Sequence, residues 1–233
     1  MILDEVPERA LAVFAHPDDP EIACAGTIAR WAAHGCAVHL IVANAGEKGA
    51  ADAGTDPQAL RALRADEADA AAAVMGVAAH ELLGVPDGEL ANSVELRELL
   101  VGRVRSVRPQ VVIAPDPTAV FFGGAYVNHR DHRELGWAVL DACAPAASNA
   151  SYFPDAGSAH QIETLLLAGT LEPDAWVDIV DQLDTKVAAV QCHASQLGGD
   201  LDVVERVVVA RAAEAGEGAG VRYAEGFRRI RLA

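Results

Sequence analysis

Thiol pairs are missing from this sequence. Its four cysteines, Cys24, Cys36, Cys143 and Cys192, show no C-x-x-C spacing. That excludes a thiolate zinc knuckle or a disulfide framework and points to interior thiols in a reducing compartment. Basic residues are scarce too, with 18 Lys plus Arg against 34 Asp plus Glu and a net charge of −16. Binding to nucleic acid or to an anionic membrane draws on phosphate neutralisation, so this balance argues against both partners. No apolar run approaches the roughly 20 residues of a membrane span. The N-terminus is acidic where a signal peptide would be basic, so a cytoplasmic setting is expected. Neither G-x-G-x-x-G nor G-x-x-x-x-G-K-[ST] follows the first apolar run, which weighs against a nucleotide-binding module. The absence of G-x-S-x-G weighs against a serine hydrolase. There is no internal repeat or linker, and 233 residues with 52% apolar content suit a single domain over 1–233.

What is present alternates. Residues 10–15, ALAVFA, form an apolar run that ends at His16 and predict a buried parallel strand. Residues 20–34 predict a helix, with Pro20 suited to its first turn and Gly35 to its stop. A strand is expected over 37–43, a loop over 44–57, a helix over 58–75 and a short strand near 79–83. A helix over 93–107, a strand over 110–114, a loop over 115–128 and a helix over 130–143 follow. Further along, 165–169 and 175–179 predict strands, 181–195 and 201–215 predict helices, and the Gly-rich stretch 214–220 predicts a loop. This β-α-β order implies an α/β fold: a Rossmann-like open, mostly parallel sheet with helices on both faces. Ligands in such sheets bind beyond the carboxyl ends of the strands.

Two polar clusters sit where that rule places chemistry. Ala15-His16-Pro17-Asp18-Asp19-Pro20-Glu21 leaves the first strand, and His129-Arg130-Asp131-His132 follows the loop after a later one. Catalytic zinc takes about three N or O ligands and keeps one open position. His16 and Asp19, three apart on a turn, supply two, and His132 supplies a third. Asp18 is then placed to act as general base on the attacking water, His129 as general acid or oxyanion stabiliser, and Asp131 to hold a histidine tautomer. Read alone, His-Pro-Asp-Asp equally fits a turn that caps the next helix. His129 and His132 alone fit an ordinary surface pair. Tyr126 precedes the second cluster and can reach an oxyanion, or serve as a plain loop aromatic.

The segment AHPDDPEIACAGTIARWAAHG (15–35) resembles the first signature of the LmbE/PIG-L family of zinc-dependent N-deacetylases, the N-acetylglucosaminyl deacetylase type. NHRDHRELGWAVLDA (128–142) is similar to its second, H-x-D-H-R. Weaker likeness runs through 41–50, 64–77, 83–88 and 177–196, the last with D-x-K and H-x-S-Q patterns. Pro20, Ala23, Ala25 and Arg130 depart from the family pattern, but none is a proposed ligand. The resemblance implies one Zn2+ per chain on His16, Asp19 and His132, although two imidazoles and a carboxylate also accept iron, cobalt or manganese. It implies Asp18 as base with His129 assisting, and Arg64, Asp87 and His193 as substrate contacts. It also implies a homo-oligomer that removes an acetyl or similar acyl group from a small amino-sugar-like molecule. The alternatives are an amidase on a larger thiol-sugar conjugate and a non-catalytic sugar-binding module of the same fold.

Overall fold

Apolar side chains on both faces of one strand set the architecture. In a computed structural model, which describes residues 1–50, 52, 54–197 and 200–232, strand β1 is Arg9–Phe14. Ala10, Ala12 and Phe14 enter one core cluster, whereas Leu11, Val13 and Ala15 enter another on the opposite face. A strand buried on both sides has no polar face to alternate with, hence its continuous apolar run.

Helix α1 (Asp19–Ala33) leads to β2 (Ala37–Val42), α2 (Pro57–Val74) and β3 (Ala79–Leu82). Helix α3 (Val94–Val107), capped by the Ser93 side chain on the Leu96 N–H, leads to β4 (Val111–Pro115). Ala51 and Ala53, within the expected 44–57 loop, lie outside the described residues. The expected loop 115–128 is not wholly irregular. It contains a small antiparallel hairpin, β5 (Phe121–Phe122) with β6 (Tyr126–Val127), turned at Gly123–Gly124. Helix α4 (Arg130–Asp141) follows and runs into a π-helical turn, Ala142–Ala146.

Strands β7 (Thr164–Ala168) and β8 (Ala175–Asp178) form as expected. The helix expected over 181–195 is shorter, a 3-10 turn at Val180–Gln182 followed by α5 (Leu183–Gln191). Helix α6 (Leu201–Ala219) continues through the stretch expected to be a loop. Gly216 is why: a Cβ there would lie 2.6 Å from the Val221 carbonyl oxygen, so the glycine serves close packing rather than a turn. The last strand, β9 (Ala224–Arg231), completes a seven-stranded sheet of order β3-β2-β1-β4-β7-β9-β8. Pairs from β3 to β7 are parallel, and β9 runs antiparallel to both neighbours. Helices α1, α2, α5 and α6 contribute to one core cluster and α3 and α4 to the other, so helices cover both faces. Among the described residues no helix is long and apolar enough to cross a membrane.

The strand order reverses between β1 and β4, where successive connections leave in opposite directions. That topological switch opens a crevice at the strands' carboxyl ends, directly at His16. Helix α4 is seated there by Gly136, whose Cβ would meet the Pro115 carbonyl oxygen at 2.6 Å. Gly136→Ala is expected to lower stability by about 1–3 kcal/mol through overpacking, read as a reduced urea midpoint. Gly102→Ala on α3, where the nearest atom is 3.9 Å away, should instead be neutral or stabilising by up to about 1 kcal/mol.

Candidate metal centre

The turn after β1 aims its side chains by an unusual backbone. Asp18 adopts φ 85°, a left-handed conformation that costs a residue with a Cβ some energy but is tolerated by Asp. Pro20 then sits in the first turn of α1. The His16 backbone N–H donates to Asp19 Oδ2 at 2.8 Å, which fixes that carboxylate against the turn.

From the other side of the switch, α4 brings in His132. His16 Nδ1 lies 3.0 Å from His132 Nε2 and 3.4 Å from Asp19 Oδ2, and His132 Nε2 lies 3.1 Å from Asp19 Oδ2. Ligand atoms about 2.0–2.2 Å from one ion in tetrahedral array stand about 3.3–3.6 Å apart. The three atoms therefore form one face of a slightly tight tetrahedron and leave a fourth corner open.

The far nitrogens of both rings are held as metal-binding imidazoles require. His132 Nδ1–H donates to Asn128 Oδ1 at 2.9 Å, which leaves Nε2 as a lone pair facing the cluster. Asn128 is itself fixed by donating to the Ala119 carbonyl. His16 Nε2 faces Asp87 Oδ1 at 3.3 Å and Asp131 Oδ2 at 3.6 Å. Asp131 is fully buried, and its Oδ2 accepts from the Gly88 N–H and from Asn44 Nδ2. Asp131 thus sits where a histidine-orienting carboxylate belongs.

Charge points the same way. Burial disfavours a protonated His16, yet Asp19, then Asp87 and Asp131, raise its pKa to about 9. Burial also opposes ionisation of Asp19, but His132 and His16 hold it well below the usual carboxylate range. Burial and the Asp19 charge push Asp18 up to about 7. Carboxylates thus outnumber their partners around two ring nitrogens, an environment that favours positive charge at its centre. The donor set, spacing and orienting partners all fit a divalent cation.

His129 caps α4, and its Nδ1 accepts the Asp131 N–H at 3.3 Å. Its remaining nitrogen is then a donor in the neutral ring. Burial and the neighbouring His16 lower its pKa, so the neutral form prevails. Its ring stands edge-on to His16, with centroids 4.8 Å apart.

The expected substrate contacts divide. Tyr126 lines a cleft of about 840 Å³ that opens over Asp19, Asn128 and His132 and extends to Trp176 and Arg211. Asp87 is buried, with one oxygen facing His16 and the other accepting the Lys48 N–H. Arg64 is buried and donates to the Gly46 and Gly49 carbonyls, so it ties down the loop after β2 instead of lining the cleft. His193 has no exposed surface. Its Nε2 lies 3.2 Å from Glu21 Oε2, in the first turns of α1 beside Asp18 and Asp19. Asn44, Asn128, Glu21 and Gln196, whose amide holds the Pro17 carbonyl at 3.0 Å, were not expected. Each lies in a stretch singled out from the sequence, Glu21 at the end of the first cluster, Asn44 within 41–50, Asn128 directly before the second cluster and Gln196 at the end of H-x-S-Q, but the residue types alone assigned them no role.

Comparison with known proteins agrees with this geometry. The sequence profile of the PIG-L family, described as GlcNAc-PI de-N-acetylase, matches residues 11–143. A diacetylchitobiose deacetylase of Thermococcus kodakarensis is 31% identical over 225 residues, covering 95% of this chain and 82% of that protein. A 1D-myo-inositol 2-acetamido-2-deoxy-alpha-D-glucopyranoside deacetylase of Kineococcus radiotolerans is 29% identical over 84% of this chain and 71% of its own. Among solved structures, the N,N'-diacetylchitobiose deacetylase of Pyrococcus horikoshii superposes with a TM-score of 0.87 at 29% identity, over 97% of this chain and 84% of that one. With the profile covering more than half of the sequence, the chain belongs to the PIG-L family of GlcNAc-PI de-N-acetylases.

Proposed function

We propose that this protein is a zinc-dependent N-deacetylase that hydrolyses the N-acyl group of a small amino sugar. The observation that carries the reading is the mutual approach of His16 Nδ1, Asp19 Oδ2 and His132 Nε2 to 3.0–3.4 Å, with both rings oriented from behind. Those three atoms would hold the ion. A divalent cation there supplies a Lewis acid that polarises the acyl carbonyl and acidifies water.

The chain's own groups account for the proton movements. Asp18 takes a proton from the attacking water as its oxygen bonds to the acyl carbon. The His129 ring N–H donates to the oxygen on which charge develops. Asp18 then returns the proton to the amine nitrogen as the C–N bond breaks, releasing a carboxylic acid and an amine, which ionise in water to a carboxylate and an ammonium. Asp131 and Asp87 orient His16, and Asn128 orients His132. Tyr126, on the exposed hairpin over the cleft, is a substrate contact.

The substrate class rests on the named activities of the relatives, both directed at N-acetylated glucosamine units. The cleft supports it, because it joins aromatic surface at Tyr126 and Trp176 to polar groups at Asp116 and Thr170, a mixture suited to a hydroxyl-bearing ring. Zinc as the native ion and a homo-oligomeric state belong to the same reading and rest on the family resemblance, while one catalytic domain over 1–233 and a cytoplasmic setting belong to it on the length and composition of the sequence.

A panel of N-acetylated amino sugars, assayed for free amine, should identify a substrate, and dialysis against a chelator should abolish turnover until zinc is restored. Turnover that persists after complete chelation would sink the proposal. His132→Ala should lose both bound metal and activity. Asp18→Asn should retain the metal, with kcat lower by about 10²–10⁴-fold. Asn128→Ala should weaken metal affinity by about 10–100-fold, measured by competition with a chromophoric chelator.

A further inference from the structure

Helix α1 is broken near its start, and a buried ion pair fills the break. Cys24 has non-helical dihedrals (φ −151°, ψ 20°). In a straight helix the Gly26 N–H would donate to the Ile22 carbonyl. Here the Gly26 N–H donates instead to Glu225 Oε1 at 3.0 Å, and the Ile22 carbonyl accepts from Lys186 Nζ at 2.8 Å. Lys186 and Glu225 are joined by a 2.6 Å contact and are 3% and 4% exposed. The ion pair therefore stands inside a severed rung of the helical ladder and takes both of its ends.

The remaining hydrogen bonds extend the same pattern. Lys186 also caps the Glu21 carbonyl at 2.9 Å. Glu225 Oε2 accepts from the Thr27 N–H at 2.7 Å and the Thr27 hydroxyl at 2.6 Å. All three Lys186 protons and both Glu225 oxygens have partners, so the charges are compensated although buried. The turn so detached from the rest of α1 is the one that bears Asp18 and Asp19.

We propose that the Lys186–Glu225 pair is a positioning device for that turn, setting the placement of Asp19 and Asp18 without touching ion or substrate. Lys186 comes from α5 and Glu225 from β9, so the C-terminal third of the chain aims a ligand carried by its beginning. The pair replaces one backbone hydrogen bond by a wedge of fixed length, which holds the first turn at an angle that a continuous helix would not adopt. The inference rests on the metal-site reading above.

The test compares Lys186→Met, Glu225→Gln and the double variant with the wild type. Each single variant strands a buried charge and should melt lower. The double variant removes both charges and should melt cooperatively above either single one. If the pair positions the turn, the double variant still binds zinc at least about tenfold more weakly, with kcat reduced by a similar factor and KM within about twofold. Hydrogen exchange of the Ile22 amide, which donates to the Asp18 carbonyl at 2.9 Å, should quicken even in metal-free protein. A double variant with wild-type zinc affinity, kcat and Ile22 exchange would overturn the proposal. A wild type that binds no zinc would overturn the metal reading instead, and the exchange measurement would still decide the role of the pair.

Discussion

Two imidazole nitrogens and a carboxylate oxygen pressed to within 3.0–3.4 Å of one another are the constraint on which this structure turns. Three such atoms, each presenting a lone pair to one point, would repel unless a proton or a cation lies between them, and the raised pKa of His16 shows that this site favours positive charge. Such an arrangement persists only where the surrounding fold fixes each group separately. The fold does so from three directions. Asn128 holds one ring, Asp87 and Asp131 face the far nitrogen of the other, and the His16 backbone N–H holds the carboxylate. Behind these stand the partners of the partners: Asn44 and the Gly88 N–H on Asp131, and the Ala119 carbonyl on Asn128. Removing an outer member does not delete a ligand. It loosens the geometry in which the ligands agree on one point in space.

Much of this was legible in the sequence, for a physical reason. Doubly buried strands write continuous apolar runs, so β1, β2 and β4 could be located by composition, and chemistry at their carboxyl ends followed from the fold class. The three expected ligands, His16, Asp19 and His132, come together at the switch point. The limit was direction. A buried Arg and a buried His near a site read the same whether they face the cleft or the layer behind it; Arg64 holds the loop after β2, and His193 faces Glu21 of α1. Strand β9 went unnoticed because tandem Arg228 and Arg229 mask the period around fully buried Phe227. The Gly-rich end of α6 misled for a different reason. Gly216 is required by a backbone 2.6 Å from where a Cβ would sit, and no composition rule distinguishes a glycine needed for proximity from one needed for a turn.

The division of labour along the chain follows from the same facts. The stretch matched by the family profile, 11–143, contains every proposed ligand and proton carrier. Yet the turn carrying Asp18 and Asp19 is held by residues that lie beyond it. Gln196 takes the Pro17 carbonyl, His193 faces Glu21, and Lys186 takes the Glu21 and Ile22 carbonyls. Three backbone carbonyls, of Pro17, Glu21 and Ile22, and the Glu21 side chain, all close to the two proposed site carboxylates, thus meet side chains from α5 and the segment after it. A backbone in left-handed conformation at Asp18, followed by a helix broken at Cys24, has few hydrogen bonds of its own to keep its shape. External anchors supply what local structure lacks.

Burying charge to do this is costly in principle, since an apolar pair of the same volume would often be at least as stable. What an apolar pair cannot do is occupy both ends of an opened helical rung, because the Ile22 carbonyl and the Gly26 N–H would then be buried without partners, at about 1–3 kcal/mol each. An apolar replacement would therefore favour closing the rung and straightening α1. A straightened α1 would carry Asp19 away from the point where His16 and His132 meet. The charged pair is thus tied to the bent helix specifically, and the bent helix to the metal centre, so that fold stability and site geometry are linked through one severed hydrogen bond.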